Sequence, residues 1–334
     1  MATEIWTCWL EVDLSTAELI WLYRNKKVSN PVTESKASPP RKSANSESDE
    51  AEAKATDVRQ KTGLPASASA FQVQTKGAKA DRPFESSYFE KGIQLVADGN
   101  VIKTGWFGHA APALIDLDRD GDLDLLVGQY TDGIVEVYKN TGSDKNPKYE
   151  ASGKLKAGGE VASVETFCCV GFTPCIVDFD DDGHLDILSG SYPGELYIFR
   201  GQENGQFSTR ENIQDVNGKV LKPGFATTAH AADIDGDGDF DLLSSLKKGG
   251  VAICYNRGTP AEFQFGEWEE LEIAGRKIPS AHSGPVCVDF DGDGRQDLIV
   301  AVEENIKTDT WRSKLVWYRN TSEEGKPEFS RCQS

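Results

Sequence analysis

The nine residues Asp233-Ile234-Asp235-Gly236-Asp237-Gly238-Asp239-Phe240-Asp241 decide the fold of this chain. They follow the pattern D-x-D-x-D-G-x-x-D, with aspartates at positions 1, 3, 5 and 9 and glycine at position 6. The same pattern begins again at Asp116, Asp178 and Asp289. Positions 1, 3, 5, 7 and 9 are the predicted metal-binding positions, and in the four loops they are Asp116, Asp118, Asp120, Asp122, Asp124; Asp178, Asp180, Asp182, His184, Asp186; Asp233, Asp235, Asp237, Asp239, Asp241; and Asp289, Asp291, Asp293, Arg295, Asp297.

Each loop has the chemistry of a calcium site. Alternation sends the odd-numbered side chains towards one point, and the glycine permits the sharp turn that this requires. Calcium takes about six to eight oxygen ligands at ~2.4 Å, and such a carboxylate cage suits it better than the strict octahedron of magnesium. The residue at position 7 varies between Asp122, His184, Asp239 and Arg295, so we expect its backbone carbonyl to be the ligand.

The loops are not those of EF-hands. An EF-hand needs a glutamate at position 12, where this chain has Val127, Ser189, Ser244 and Val300. The flanking segments are short apolar runs typical of strands, whereas an EF-hand loop lies between two helices.

The loops recur at intervals of 62, 55 and 56 residues, which makes the repeat a large unit. In the second repeat, for example, an apolar run ends at Val177, a second run follows the loop at Ile187, and a third run covers Leu196 to Phe199. Fourth, weaker strands are predicted near Tyr149, Phe207, Phe263 and Phe329. Four antiparallel strands at this period indicate a propeller blade, so the predicted fold is an all-β β-propeller of four-stranded antiparallel blades.

The sequence leaves the number of blades open. Small residues precede the aspartates, for example Gly108 to Ala111, and this favours the first strand as the innermost one. The last repeat stops just past Phe329, and residues 84–102 have the character of an outer strand, so these two ends could complete one blade of a four-bladed ring. A larger ring with further blades upstream fits equally well.

The chain divides into three predicted regions. Residues 83–334 hold the four repeats, and residues 31–82, rich in Ser, Ala, Pro, Lys and Glu, are predicted to be a disordered linker. Residues 1–30 contain Glu18 to Asn25, which resembles Lys314 to Asn320 and is either a blade remnant or an isolated amphipathic stretch. No run approaches the ~20 apolar residues of a membrane span, and the first ten residues lack the features of an export signal.

Composition limits the partners. Lys and Arg number 36 against 54 Asp and Glu, a formal charge of −18, which argues against nucleic acid and against insertion into anionic membranes. Seven cysteines are neither a dense disulfide framework nor a zinc pattern, and Cys175, Cys254 and Cys287 lie in apolar runs where a thiol usually acts as a small buried hydrophobe.

The four loops at blade spacing resemble the FG-GAP or VCBS repeats of integrin-α-like propellers, over about Phe84 to Phe329. The resemblance implies that calcium is structural, that each loop joins the first two strands of a blade, and that ligands bind on the opposite face. It also implies an extracellular or cell-surface recognition or adhesion module with a protein or glycan ligand. The alternative is a polysaccharide-acting lyase or related enzyme on the same scaffold, although no catalytic motif is visible outside the loops.

Two further features carry weaker hypotheses. His109, His230 and His282 each precede a loop and could approach the inner strand ends to form an axial metal site, or could be ordinary polar residues there. Glu303 to Ser313 is predicted to be a long turn that contacts a partner or is a plain surface insertion.

Overall fold

A computed structural model gives the structure of the chain. It describes residues 6–11, 19–24, 71–72, 93–105, 110–144, 146–167, 170–246, 249–273, 275–278, 284–306, 310–322 and 325–331; the first three ranges and residues 302–314 are described by their backbone alone. Within these ranges the fold is all-β, because the one helical element is the short 3-10 turn Thr131–Gly133. No helix in them has the length and apolar character needed to cross a membrane.

Four antiparallel sheets are arranged as a four-bladed β-propeller, and each sheet holds one aspartate loop. Inside each blade the strands pair in chain order, first with second, second with third and third with fourth. The strands of blade 1 are Ala111–Ile115, Asp124–Gly128, Val135–Asn140 and Tyr149–Lys154, and those of blade 2 are Cys175–Val177, Asp186–Ser189, Tyr197–Phe199 and Glu211–Asn212. The strands of blade 3 are His230–Ala232, Asp241–Ser245, Val251–Cys254 and Glu269–Glu270, and those of blade 4 are Val286–Val288, Asp297–Ile306, Thr310–Asn320 and Phe329–Arg331.

The first strands of successive blades contact one another, which agrees with the prediction that small residues mark the inner strand. Apolar side chains fill the spaces between neighbouring blades. Between blades 1 and 2, Phe172 stacks on Phe199 with ring centroids 5.3 Å apart. Between blades 2 and 3, Phe179 is a buried member of the corresponding apolar cluster. Burial of such a ring contributes roughly 1.5–3 kcal/mol, so the blades are held together mainly by these apolar faces. Cys254 and Cys287 are buried free thiols in two of these layers, as predicted.

A short hairpin follows the fourth strand of a blade and contacts the next blade. After blades 1 and 3 the hairpins are Lys156–Ala157 with Glu160–Val161 and Glu272–Ile273 with Arg276–Lys277. Parallel bridges from Ala157 to Phe207 and from Asp215 to Phe265 join such segments to the outer edge of the following blade. The fourth strands of blades 2 and 3 therefore begin at Glu211 and Glu269, later than predicted, because isolated bridges and a break precede them.

The prediction that the two ends of the chain combine into one blade is wrong. Blade 4 has its own fourth strand, since Phe329–Arg331 pairs with Thr310–Asn320. At the other end, Val96–Ala97 pairs in parallel with Tyr149 of blade 1 and antiparallel with Asn100–Val101. The segments at both ends of the repeat region thus pair with strands that are near them in the chain.

A separate four-stranded sheet involves the N-terminal region. Its order is Phe71–Gln72, Trp6–Glu11, Leu19–Arg24 and Ile93–Gln94, with the first pair parallel and the others antiparallel. The short strand Phe71–Gln72 falls in the predicted linker 31–82, and the remainder of that linker lies outside the described residues.

The prediction of a long turn from Glu303 to Ser313 is also wrong. The second and third strands of blade 4 continue as a two-stranded ribbon, with Glu303 opposite Ser313 and Ile306 opposite Thr310. Ile306, Thr310 and Trp311 in this segment are of types that favour extended pairing.

Candidate metal centres

Each aspartate loop joins the first strand of a blade to its second, so the four loops occupy the same end of their blades, here called the loop end. The turns between second and third strands occupy the opposite end, called the turn end. In every loop the structure brings together positions 1, 3 and 5, whose carboxylate oxygens lie within 4.8 Å of one another. The groups are Asp116, Asp118, Asp120; Asp178, Asp180, Asp182; Asp233, Asp235, Asp237; and Asp289, Asp291, Asp293.

Backbone donors hold these carboxylates in place. In the first loop, the N–H groups of Asp120 and Gly121 donate to the two oxygens of Asp116 at 3.1 and 3.0 Å. The N–H of Asp122 donates to Asp120 Oδ1 at 3.0 Å. Equivalent bonds recur in the other loops, so backbone donors orient the carboxylates of every cage.

The glycine at position 6 has the left-handed backbone that the turn requires. The φ angles are +93° at Gly121, +88° at Gly183, +96° at Gly238 and +89° at Gly294, as predicted from the motif. Position 4 is also left-handed, which the sequence analysis did not anticipate. There the third and fourth loops have glycine, whereas the first two have Arg119 at +63° and Asp181 at +58°.

The aspartate at position 9 is buried and ties the loop to the third strand. Asp186, for example, accepts from Phe179 N at 3.1 Å and from Gly201 N at 2.7 Å. Asp124, Asp241 and Asp297 make corresponding bonds. Position 9 lies outside the groups of three, so its part in metal binding stays a prediction and its part in the fold is what the structure shows.

Burial raises the pKa of several loop carboxyls. It raises the pKa of Asp186 to about 7 and that of Asp241 to about 8, because a charged carboxylate loses hydration inside the blade. In the third loop, burial and then the nearby aspartate charges raise the pKa of Asp233 to about 6 and that of Asp239 to about 7. A cation bound among these carboxyls would favour their charged forms and so oppose this effect of burial.

Three loop oxygens are buried without a hydrogen-bond partner, namely Oδ1 of Asp180, Asp235 and Asp239. A buried acceptor without a hydrogen-bond partner is costly. One cation in the second loop and one in the third would satisfy these three oxygens. The donor set is entirely oxygen, which suits a hard cation. The residues present thus fit a metal site of the predicted kind.

One basic side chain per blade lies against the aspartate at position 3. Lys139 reaches Asp118 at 2.8 Å, Arg200 pairs with Asp180, Arg257 lies 3.5 Å from Asp235, and Arg319 Nε lies 2.7 Å from Asp291. All four follow the third strand's apolar run, where the sequence shows a recurrent basic residue. Sequence reasoning missed this contact because it links positions 20 to 28 residues apart across the sheet.

The position 7 side chains differ in their surroundings. Asp122 is half-buried and accepts from Asp144 N at 3.2 Å, and His184 Nδ1 lies 3.3 Å from Arg119 Nη2. Asp239 is only 5% exposed, and Arg295 pairs with Asp293 of its own loop. The predicted carbonyl ligand at this position remains a prediction.

Of the three histidines, only His230 lies in the described residues. The residue is partly exposed, its Nε2 is 3.1 Å from the carbonyl oxygen of Cys287, and desolvation of the ring lowers its pKa to about 4. A hydrogen-bonded imidazole between blades 3 and 4 fits the interpretation as an ordinary polar residue. His109 and His282 lie outside the described residues, so the axial site stays a hypothesis.

A cluster of exposed aromatic side chains lies at the turn end. Phe167 is 64% exposed and Phe225 is 48% exposed, and the Tyr192 ring stands between them with centroid distances of 5.0 and 6.1 Å. The backbones are joined, since Tyr192 N donates to Glu165 O and Ala226 N donates to Tyr192 O at 3.0 and 2.9 Å. We call Phe167, Tyr192 and Phe225 the aromatic cluster; sequence periodicity could not find it because its members come from two interblade connections and one turn.

Charged side chains border the aromatic cluster. Tyr197 Oη donates to Glu165 at 2.5 Å and lies 3.2 Å from Glu195. Arg210 pairs with Glu165 at 2.6 Å, and Lys222 pairs with Glu195 at 2.6 Å. The rim is therefore polar and internally paired.

Comparison with known proteins places these observations in a family context. The FG-GAP-like repeat family matches residues 178–244, from the second loop to the second strand of blade 3. Integrin alpha-4 of Xenopus laevis is 32% identical over 177 residues, which cover 48% of this chain and 16% of that protein. Cartilage acidic protein 1 of Xenopus tropicalis is 26% identical over 229 residues, which cover 65% of this chain and 31% of that protein.

The chain thus spans less than a third of the length of these relatives. Among solved structures, an alpha-L-arabinanase of Cellvibrio cellulosa has 16% identity and a TM-score of 0.43, covering 67% of this chain and 78% of that one. A TM-score of this size carries no argument about function. The family match, the relatives and the sheet arrangement together support an FG-GAP-like repeat at residues 178–244 within a fold of the propeller type.

Proposed function

We propose that this chain is a calcium-binding β-propeller that acts as a non-enzymatic recognition or adhesion module outside the cell or at its surface. The observation that carries the proposal is the contrast between the two ends of the blades. One end has a carboxylate group in every blade, and the other has exposed aromatic side chains with a polar rim. The proposed partner is a protein or glycan ligand, and the charge of −18 speaks against nucleic acid or membrane insertion.

Calcium would be held by the carboxylates of positions 1, 3 and 5, with positions 7 and 9 as the further predicted ligands. Its proposed role is to pin the turn between the first and second strands of each blade. Four equivalent copies fit such a role, because a repeated structural site follows the repeat whereas a single reaction needs one site. Millimolar extracellular calcium would keep such sites occupied.

The aromatic cluster supports recognition as the function of the turn end. Apolar patches that are exposed and bordered by polar residues mark interaction sites, and a few aromatic anchors usually supply most of the binding energy. The backbone bonds between Tyr192, Glu165 and Ala226 hold together the segments that carry the rings, which lowers the entropy that association would cost.

The enzyme alternative would need convergent acid and base residues near this surface. Glu165 is the carboxyl beside the aromatic cluster, and although burial raises its pKa, hydrogen bonds from Tyr197 and Arg210 outweigh burial and lower it. Its carboxylate pairs with Arg210 at 2.6 Å, as expected of a structural ion pair.

Calcium binding is tested by thermal unfolding with and without a chelator. At free calcium ~100-fold above Kd, each occupied site would stabilise the native state by ~2.7 kcal/mol, so chelation should lower the melting temperature strongly. An unchanged melting temperature after complete removal of metal would contradict the calcium proposal.

Recognition is tested with an array of extracellular proteins and glycans, probed with and without calcium. For any ligand found, Phe167→Ala and Phe225→Ala should weaken binding tenfold or more, as expected of ~1.4 kcal/mol or larger anchors. Val216→Ala is the matched control, because Val216 is 60% exposed and lies outside the aromatic cluster. Turnover of acidic polysaccharides by the wild-type protein would instead support the enzyme alternative.

A further inference from the structure

The four loops share one pattern but carry different local charge. Each has one basic side chain from the third strand against position 3, so this contact alone does not distinguish them. The third and fourth loops differ in what occupies position 7. Asp239 adds a carboxylate to the third loop, whereas Arg295 adds a guanidinium to the fourth.

In the fourth loop two guanidinium groups already bind the carboxylates of the cage. Arg295 Nη2 pairs with Asp293 Oδ2, and Arg319 Nη2 reaches the same oxygen at 2.9 Å. Arg319 Nε also reaches Asp291 Oδ2 at 2.7 Å. A calcium ion entering this loop must displace or share two cations that are covalently part of the chain.

In the third loop, basic side chains neutralise the carboxylates less than in the fourth. Arg257 lies 3.5 Å from Asp235 and is 56% exposed, so it neutralises the cage weakly. Asp239 is 5% exposed, and its Oδ1 has no hydrogen-bond partner. The Asp235 Oδ1 is also buried without a partner. Two buried oxygens in one loop thus lack the partner that a cation would supply.

Asp239 differs from the other position 7 side chains in its burial, because Asp122, His184 and Arg295 are only partly buried. The Asp239 N–H donates to Asp237 Oδ1 at 3.2 Å, so the residue is tied to a carboxylate of the cage. In the first loop, Asp122 Oδ1 accepts from Asp144 N at 3.2 Å. The number of charged ligands and the rigidity of a site are the two factors that tune calcium affinity over decades.

Resting on the calcium binding proposed above, we propose that the third loop binds calcium most tightly, with the Asp239 carboxylate as an additional ligand. The fourth loop binds calcium most weakly, because Arg295 and Arg319 already pair with its carboxylates. Blade 4 is therefore the blade whose loop empties first when calcium falls. Its second and third strands extend into the ribbon that ends near Ile306 and Thr310, so loss of calcium would loosen the base of that ribbon before it affects blades 2 and 3.

The test is a calcium titration of the metal-free full chain, followed by site-resolved hydrogen exchange. Peptides covering residues 230–245 and 286–300 report the third and fourth loops separately. In the wild-type protein the third loop should gain protection at the lowest calcium concentration and the fourth at the highest. Asp239→Asn should raise the midpoint of the third loop about tenfold, and Arg295→Gln with Arg319→Gln should lower that of the fourth about tenfold.

Charge-matched controls are Glu262→Gln and Lys326→Gln, which alter exposed groups away from the loops and should move neither midpoint. If all four loops gain protection together, or if the loop variants leave their midpoints unchanged while calcium still binds, the inference is wrong and the calcium proposal stands. If no loop of the wild-type protein gains protection and no calcium is bound, the calcium proposal itself is overturned, and the ranking of the loops falls with it.

Discussion

Backbone conformation at single residues determines whether an aspartate loop can form. The φ of +88° at Gly183 lies in the left-handed region, where a Cβ is disfavoured by roughly 1–2 kcal/mol. No atom would lie within 4 Å of a Cβ added at Gly183, so conformational strain is isolated from packing at this site. Gly183→Ala should therefore lower the free energy of unfolding by about 1–2 kcal/mol in urea titrations.

Gly266→Ala is the matched control for that substitution. Gly266 also has no atom within 4 Å of an added Cβ, but its φ is outside the left-handed region. Gly266→Ala should change the free energy of unfolding very little. Equal losses of stability in the two variants would show that the loop glycine is not required for its backbone angle.

Buried carboxyls at position 9 make the calcium-free protein sensitive to pH. The folded-state pKa of Asp186 is raised to about 7 and that of Asp241 to about 8, so the folded state binds more protons than the unfolded state in this range. Stability is then greatest at low pH and is lost as pH rises through these values, by at most ~1.4 kcal/mol per pH unit for each group. His230, with a pKa lowered to about 4, affects stability only below about pH 6.5.

We therefore expect the unfolding free energy in chelator to fall between pH 6.5 and pH 8.5, measured by chemical denaturation at three pH values. Asp241→Asn, which cannot ionise, should reduce this slope. A free energy that rises with pH over the same interval would show that the folded-state pKa values are not raised.

At the scale of the element, each loop fastens one hairpin of one blade. Asp237→Ala removes a central carboxylate of the third loop and leaves the other three groups intact. We expect the purified variant to bind one calcium ion fewer than the wild type, because the four groups share no residue. Hydrogen exchange should accelerate within the hairpin formed by His230–Ala232 and Asp241–Ser245 and much less elsewhere.

The control for this prediction is Glu262→Ala, an exposed acidic residue outside the loops. It should leave both the calcium count and the exchange pattern unchanged. Uniformly faster exchange in all four blades of Asp237→Ala would indicate that the loops stabilise the ring together instead of one hairpin at a time.

At the scale of the whole molecule, the N-terminal strands extend the repeat pattern upstream. Ile102 N donates to Leu95 O at 2.9 Å, as Ala162 N does to Leu155 O and Leu221 N does to Ile213 O. Ile93–Gln94 therefore has the place of a fourth strand, and Leu19–Arg24 pairs with it as a third strand would. The interpretation of residues 1–30 as a blade remnant stays a prediction.

Deleting residues 1–30 should destabilise blade 1, because Ile93–Gln94 would lose its partner strand next to the cluster of Leu95, Ala97 and Ile102. Deleting residues 31–65, a similar length of the predicted linker, should change the melting temperature little. Equal melting temperatures for the two deletions would contradict the assignment of residues 1–30 to a blade.

The candidate site was predicted from the sequence to the extent that its contacts are local. Positions 1, 3 and 5 fall within five residues of one another, so the motif alone brings the carboxylates together, and the left-handed glycine at position 6 is a requirement of the same short turn. The second role of Asp186, as acceptor for Gly201 N, was not predictable because it depends on how the third strand lies across the sheet. The pairing of Arg319 with Asp291 was missed for the same reason.

The all-β blade repeat and the four aspartate loops were predictable because strand periodicity and a nine-residue loop involve neighbouring residues. The pairing of the chain ends, the members of the aromatic cluster and the ion pairs that neutralise the third and fourth loops are known from the folded structure. These features depend on which distant segments pack together, as Phe167 and Phe225 do on either side of Tyr192. Contacts of this kind follow from the summed packing of whole blades, and no local pattern encodes them.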